Sequence, residues 1–375
     1  MAGIYIHIPF CKQACTYCNF HFSTSLKNKE RIINAINKEI IDFNIDYLTN
    51  EIIETIYFGG GTPSILTSAE INEIIQNLNK FSITDNAEIT LEANPDDINE
   101  ASLNDWQSLG INRLSVGIQT FSDKELKWMN RAHNKNDALK CLELISKSAI
   151  KNYSIDLIYG SPFLSDEELI SNIKLLLSFN VPHISCYALT VESKTALQHS
   201  IEKKLSPDID PEKQSRQFLL IMDLLAAEGY IHYEISNFAL PGMQSKHNKA
   251  YWEGKKYIGF GPSAHSYNAY DTRSWNIANN IEYAKLIETN GNTQTNEVLT
   301  SVQQLNELIM ISLRTNEGID LERISNKFGK DKSAEIIKIA KKHILNGHLV
   351  NENNFIKLTN QGNLFADGIA ADMFF

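Results

Sequence analysis

The stretch Gly3-Ile4-Tyr5-Ile6-His7-Ile8-Pro9-Phe10-Cys11-Lys12-Gln13-Ala14-Cys15-Thr16-Tyr17-Cys18 decides how this chain is read. An extended apolar run leads into three cysteines, Cys11, Cys15 and Cys18, spaced C-x3-C-x2-C on one short loop. Three thiolates so placed can hold an iron–sulfur cluster and leave one iron without a protein ligand, because four-iron clusters usually take four thiolates. Such a vacancy corresponds to the open position that catalytic metal sites keep for a substrate. The chain has five cysteines in 375 residues, so this spacing is a strong signal. A structural zinc site would need a fourth ligand, and only His21 is close enough. A disulfide would leave one thiol over. Cys141 and Cys186 stand far from the trio and read as small buried hydrophobes.

Outward from that loop, short β-rich runs alternate with helical patterns through the first ~190 residues. Strands are predicted at 3–8, 52–58, 88–93, 112–118, 153–159 and 183–190. Ile32, Ile36 and Ile40, flanked by Ile33 and Ile41, form a helical stripe over 29–44. Thr67/Glu70, Ser122/Glu125 and Ser165/Glu168 have the spacing of capping boxes, and Gly110 suits a helix C-terminus. Strand–helix alternation implies a parallel sheet with right-handed crossovers. Six units suggest a barrel or partial barrel, with its chemistry at the strand C-termini. A further helix is expected at 211–229. Residues 237–292, rich in Gly, Asn, Tyr and Trp, read as irregular. Helices at 300–314, 319–328 and 332–346 and two strand-like runs near 348–358 read as a small winged-helix-like domain. The expected division is 1–236, 237–295 and 296–375.

Composition narrows the function. Hydrophobic content of 43% supports a sizeable core. A net charge of −10 argues against nucleic acid as the main partner. Residues 296–375 carry ten acidic and nine basic side chains, so the winged-helix-like region is no basic DNA reader. No apolar run approaches the ~20 residues of a membrane span, and the N-terminus lacks the pattern of a signal peptide. A cytosolic location, where thiols stay reduced, is expected.

A second motif, Gly59-Gly60-Gly61-Thr62-Pro63, follows the second strand. Glycines there let backbone groups approach a ligand closely. No Gly-Lys-Ser/Thr follows, so it is not a Walker loop, and Ser64 occupies the third-glycine position of a dinucleotide fingerprint. With the cysteine loop, it makes the chain resemble the radical S-adenosylmethionine (SAM) superfamily. The resemblance implies an α/β fold, a partial (β/α)6 barrel with a small mainly helical winged-helix-like C-terminal domain. It also implies a [4Fe–4S] cluster on Cys11, Cys15 and Cys18, with SAM chelating the open iron. Gly59, Gly60, Gly61 and Thr62 resemble the motif that meets the SAM amino group, and Glu92 the carboxylate that meets the ribose. Gln119, Arg131 and Asp156 resemble further polar SAM contacts, and Tyr5 is expected to pack near SAM. The radical chemistry would belong to the cofactors, the protein orienting them and excluding water.

Tyr5-Ile6-His7-Ile8-Pro9-Phe10-Cys11 and Leu313-Arg314-Thr315-Asn316-Glu317-Gly318-Ile319 resemble the branch that holds oxygen-independent coproporphyrinogen III oxidase and the HemW heme chaperones. The oxidase pattern has a fourth cysteine two residues past the third. Here that position is Phe20. The oxidase also carries an N-terminal extension, which a first cysteine at residue 11 leaves no room for. His247-Asn248-Lys249-Ala250-Tyr251-Trp252 matches the chaperones' H-N-x-x-Y-W motif, whose histidine is the proposed heme ligand; His265 is a weaker candidate. Imidazole ligates heme iron well, and Tyr and Trp offer flat apolar faces. The resemblance thus implies a heme chaperone that binds heme, the cluster and SAM. It would pass heme to an acceptor such as a membrane respiratory enzyme, from the cytoplasm or from the inner face of the membrane. The oxidase, or another radical SAM enzyme, is the alternative, and a barrel serving only as an interaction module is a third. Homodimerisation is left open.

Overall fold

The computed structural model describes residues 2–48 and 51–375. Six strands lie side by side in sequence order and all parallel: β1 (Ala2–Ile8), β2 (Ile53–Gly60), β3 (Ile83–Ala93), β4 (Arg113–Gln119), β5 (Asn152–Tyr159) and β6 (His183–Ala188). Parallel neighbours need long crossovers. These are helical: α1 (Lys29–Asp42), α2 (Ser68–Leu78), α3 (Glu100–Ser108), α4 (Asp123–Trp128), α5 (Lys135–Lys147) and α6 (Asp166–Ser178). After β6 come α7 (Ala196–Glu202) and α8 (Pro211–Ala227). The isoleucine stripe of α1 is buried as expected. Reciprocal capping boxes open α2 and α6 at Thr67/Glu70 and Ser165/Glu168. Ser122/Glu125 forms none. Glu125 is instead fully buried and accepts the Thr120 hydroxyl at 2.7 Å, so the side chain needed to close the box is used in the interior.

One face of the parallel strands is apolar. Ile4, Ile6, Ile8, Ile56, Phe58, Leu91, Leu114, Val116, Ile155, Leu157 and Ile184 join the buried core beneath the helices. The alternate positions, which the pleat sends the opposite way, are polar: Tyr5, His7, Thr55, Tyr57, Glu88, Thr90, Glu92, Arg113, Ser115, Ser154, Asp156, His183 and Ser185. The barrel interior is thus lined by groups that can bind something polar.

The expectation of an irregular segment over 237–292 is overturned. The chain forms a hairpin, β7 (Ile231–Glu234) and β8 (Asn237–Ala239), on the outer edge of β6. A short helix follows, α9 (Lys246–Trp252), and then β9 (Lys256–Phe260), which pairs parallel to β1. Beyond it run β10 (His265–Tyr267), β11 (Thr272–Asn276), α10 (Asn280–Glu288) and β12 (Gln294–Val298). The result is one twelve-stranded sheet. These strands are only three to five residues long, too short to show an alternation.

The remaining elements are α11 (Ser301–Leu313), β13 (Ile319–Asp320), α12 (Leu321–Phe328), α13 (Lys330–Leu345), β14 (Leu349–Glu352), β15 (Phe355–Leu358) and α14 (Ala366–Asp372). They enclose a core of their own around Leu305, Ile309, Ile324, Ile336, Ile356 and Met373. The Ile235 and Asn316 amides tie this unit to β7, bonding to Arg314 O (2.9 Å) and Tyr233 O (3.2 Å). Among the described residues no helix is long and apolar enough to cross a membrane.

Candidate functional site

The cysteine loop lies at the C-terminal end of β1 and is pinned from several sides. Lys12 forms ion pairs with Asp96, at 2.8 Å, and Asp97. Gln13 donates to Asn130 Oδ1 at 2.6 Å, and Asn130 donates back to Ala14 O at 2.7 Å. The Gly61 and Thr62 amides donate to Ile8 O and Phe10 O at 2.9 and 2.7 Å. A Cβ on Gly61 would stand 2.5 Å from Phe10 O, and Gly60 has φ +106°. The glycine run therefore brings β2 directly against the root of the loop. Its Gly61 and Thr62 amides serve that contact.

All three thiols are half-buried. Cys11 Sγ accepts from Thr62 Oγ1, and Cys15 Sγ from Arg131 Nη1, each at 3.4 Å. Burial pushes the Cys11 thiol up to about 11, opposed by the Thr62 hydrogen bond. A thiolate there needs the positive charge of a metal to form at neutral pH. Among the described residues no three His, Cys, Asp or Glu side chains converge as they would on a single metal ion. A polynuclear cluster, which offers each thiolate a different iron, does not require that convergence. His21 turns away: its Nε2 bonds Asn280 Oδ1 at 2.7 Å, so a three-cysteine, one-histidine zinc site does not form.

Beside the loop the interior polar positions gather. Arg131 Nη2 donates to Asn94 Oδ1 (2.8 Å) and Gly117 O (2.7 Å), while its Nε is buried without a partner. Burial raises the Glu92 carboxyl to about 7, against hydrogen bonds from the Tyr57 hydroxyl and the Gly60 amide; the Tyr57 bond is 2.8 Å long. Burial likewise raises Asp156 to about 6, against Ser185, Arg113, Arg131 and Ser115, and leaves its Oδ1 unpartnered. Gln119 ends β4 at φ +69°, where the ladder to β5 slips; such strain re-aims a side chain. Tyr5 stacks on Tyr57 at 6.1 Å and bonds His7 Nδ1 at 3.3 Å. The free acceptor of Asp156, the Glu92 carboxylate and the three thiols fit a thiolate-held cluster next to a ligand rich in N–H and O–H donors. Tyr57, Asn94, Ser115 and Ser185 escaped the sequence reading. For Tyr57, Ser115 and Ser185 the signal was the polar residue at every second position of otherwise apolar strands; Asn94 stands just past the end of β3.

His247 lies at the other end of the barrel. Helix α9 carries it into the N-terminal mouth, where it is 2% exposed. Its Nδ1 meets Thr55 Oγ1 at 2.8 Å and its Nε2 meets Tyr251 OH at 2.9 Å. Its ring stacks against Tyr57 at 5.0 Å. Gly3 makes room, since a Cβ there would stand 3.3 Å from the imidazole. Burial, with Arg113 nearby, lowers its pKa to about 3. Both ring nitrogens thus have hydroxyl partners while α9 is docked. The Lys246 and His247 amides point at Glu88 (3.2 and 3.1 Å), which in turn faces Arg113 at 4.0 Å. His265 sits on β10, exposed, edge-on to Trp275. Cys141 and Cys186 are buried, as expected.

Residues 5–176 match the radical SAM superfamily and residues 299–365 the HemN C-terminal domain. The chain is 33% identical over 374 residues to the heme chaperone HemW of Bacillus subtilis, with 98% of each chain covered. This chain belongs to the HemW family. The HemW of Lactococcus lactis is 34% identical, with 86% of this chain and 84% of the relative covered. That of Escherichia coli is 35% identical over 70% of this chain and 69% of its own. In structure, the HemW-family chain resembles coproporphyrinogen III oxidase (HemN) from Escherichia coli, described as a radical SAM enzyme. The TM-score is 0.84 and the identity 23%, with all of this chain and 90% of that one covered. The shared fold is the radical SAM α/β fold with a helical C-terminal domain.

Proposed function

We propose that this chain is a heme chaperone that carries heme and transfers it to an acceptor hemoprotein, a respiratory enzyme at the membrane. The observation that carries the proposal is full-length similarity to a protein named for that activity, joined to Phe20 at the place of the oxidase's fourth cysteine. Phe20 is 69% exposed and offers no sulfur. Cys11, Cys15 and Cys18 would hold the [4Fe–4S] cluster. The carbonyls of Gly59–Gly61, with Thr62, Glu92, Gln119, Arg131 and Asp156, would surround SAM, and Tyr5 would pack beside it. When bound, the cluster and SAM supply one-electron chemistry. The residues supply orientation, a dry interior and fixed acceptors for donor groups. His247, whose Nε2 bonds the Tyr251 hydroxyl while α9 is docked, would be the ligand to the heme iron.

Anaerobic reconstitution with iron and sulfide, then hemin titration and transfer to a heme-free acceptor, tests the proposal. The reconstituted protein is expected to gain metal–sulfur absorption that Cys15→Ala lacks, to bind hemin, and to release it to the acceptor. The oxidase alternative draws on the shared fold. Formation of protoporphyrinogen by the loaded protein, with no hemin transfer, would replace the chaperone by the enzyme.

A further inference from the structure

Two sulfurs of the cysteine loop meet side-chain donors, and the donors differ in charge. Cys11 Sγ accepts from a neutral hydroxyl, Thr62 Oγ1, and Cys15 Sγ from a cationic guanidinium, Arg131 Nη1, each at 3.4 Å. Asn94 stands between the two donors. Its Oδ1 accepts from Arg131 Nη2 at 2.8 Å, and its Nδ2 donates to Thr62 Oγ1 at 3.3 Å. Arg131 Nη2 also donates to Gly117 O at 2.7 Å, and a Cβ on Gly117 would stand 3.3 Å from that nitrogen. None of these acceptors is a carboxylate, so among the described residues the guanidinium carries its charge without an ion pair. A cation withdrawn from water is costly unless an anion faces it, and the groups at its tip that can become anionic are the thiols. The segment that carries Arg131 is also stitched to the loop that carries Cys15. The Thr16 amide donates to Met129 O at 3.1 Å, and Asn130 bridges to Gln13 and to Ala14 O. Guanidinium and sulfur are thus held in one register. Arg131 Nε, buried without a partner, stays free for the SAM contact proposed above.

We infer that Arg131 is a positioning residue for electron transfer: its cation on Cys15, braced by Asn94 and Gly117, raises the reduction potential of the cluster. This rests on the reading that Cys11, Cys15 and Cys18 hold a cluster, and it gives Arg131 a role separate from its SAM contact. Reduction passes one electron from a low-potential donor such as dithionite to the cluster, with no bond made or broken. The added negative charge is stabilised by a cationic donor at a ligand sulfur more than by a neutral one. Outer partners of this kind tune a metal centre without ligating it.

The test is redox potentiometry of the full chain, reconstituted anaerobically with iron and sulfide, reduced stepwise with dithionite and followed by electron paramagnetic resonance. It is run without SAM, so a lost SAM contact cannot move the result. Arg131→Gln should shift the reduction equilibrium about tenfold toward the oxidised cluster, as loss of a charge-assisted hydrogen bond predicts. That is a fall of about 59 mV for a one-electron couple. Arg131→Lys, which keeps the charge, should recover most of the fall. Asn94→Ala, which keeps the guanidinium and removes its brace, should give a smaller fall in the same direction. It stands in for Arg131→Gln if that variant takes up no cluster. Iron content and thermal melts verify loading and folding. An unchanged potential in loaded Arg131→Gln, or in Asn94→Ala where it stands in, would overturn the inference and leave the cluster reading intact. Equal falls in the glutamine and lysine variants would do the same, since charge would then not be the cause. A wild-type chain that gains no metal–sulfur absorption would sink both.

Discussion

Glu88→Gln is the substitution that asks most of the barrel's N-terminal mouth. Glu88 accepts the first two amides of α9 at 3.2 and 3.1 Å and faces Arg113 at 4.0 Å. It is 4% exposed and Arg113 1%. Glutamine keeps the shape and one acceptor but removes the charge between a buried guanidinium and a helix N-terminus. Removing one partner of a buried pair costs roughly 3–5 kcal/mol. The 4.0 Å separation and the remaining acceptor reduce this to about 2–3 kcal/mol, of which a share near 1 kcal/mol is the lost interaction with the helix N-terminus. If that energy falls on docking of α9, the undocked population rises roughly 30- to 150-fold, at about 1.4 kcal/mol per factor of ten. Native-state hydrogen exchange on a peptide spanning residues 245–253 measures it, because amides that open locally exchange in proportion to the open population. Carbethoxylation of His247, shielded on both nitrogens while α9 is docked, should accelerate in step. Exchange in α9 that stays within threefold of wild type would refute the view that Glu88 anchors the helix, and a fall in overall melting temperature alone would not rescue it.

Three further outcomes follow from particular contacts. Gly61→Ala places a methyl 2.5 Å from Phe10 O and 2.8 Å from Ile8 O; backbone cannot yield cheaply, so we expect about 1–3 kcal/mol of destabilisation and poor cluster uptake, read by denaturant unfolding and visible absorption. Burial raises Glu39 to about 7, against hydrogen bonds from Tyr283, Gly261 and Asn276. A folded-state value above the usual 4.5 means the folded protein holds that proton more tightly, so its contribution is complete at low pH and lost as pH rises through 7. Stability should fall by up to ~3 kcal/mol on this account between about pH 4.5 and 8, and Glu39→Gln should flatten that share of the slope; an unchanged slope contradicts the assignment. Asp156→Asn removes a carboxylate with a free acceptor and should lower SAM affinity of the cluster-loaded protein about tenfold, the worth of one charge-assisted hydrogen bond, measured by equilibrium dialysis; equal affinity would place SAM elsewhere.

The parts legible in the sequence are those where local chemistry and tertiary role coincide. Each of the six parallel strands was an apolar run bounded by turn or helix signals, and each lies within a few residues of its expected place. Burial on one face suffices to announce a strand such as Ile4–Ile6–Ile8. The cysteine spacing announces a loop, and the three half-buried thiols do share one at the C-terminal end of β1. The hairpin and meander of 231–298 were illegible because their strands gain their pairing from β6 and β1, far away in sequence, and carry no periodicity of their own. Ser122/Glu125 misled because the spacing of a cap does not reveal that Thr120 already engages the glutamate.

His247 shows the deeper limit. A motif states which side chains share a helix, and α9 does hold His247, Tyr251 and Trp252 within two turns. It does not state which face meets which neighbour. Gly3, Thr55 and Glu88, from three different strands, draw the histidine inward, and the same rotation turns Trp252 out under Arg314 of the C-terminal unit. The chemistry assigned to a motif is therefore placed by the fold. Only substitutions that separate placement from chemistry, Glu88 for the docking of α9 and His247 for the imidazole itself, can tell how far heme binding depends on that docking.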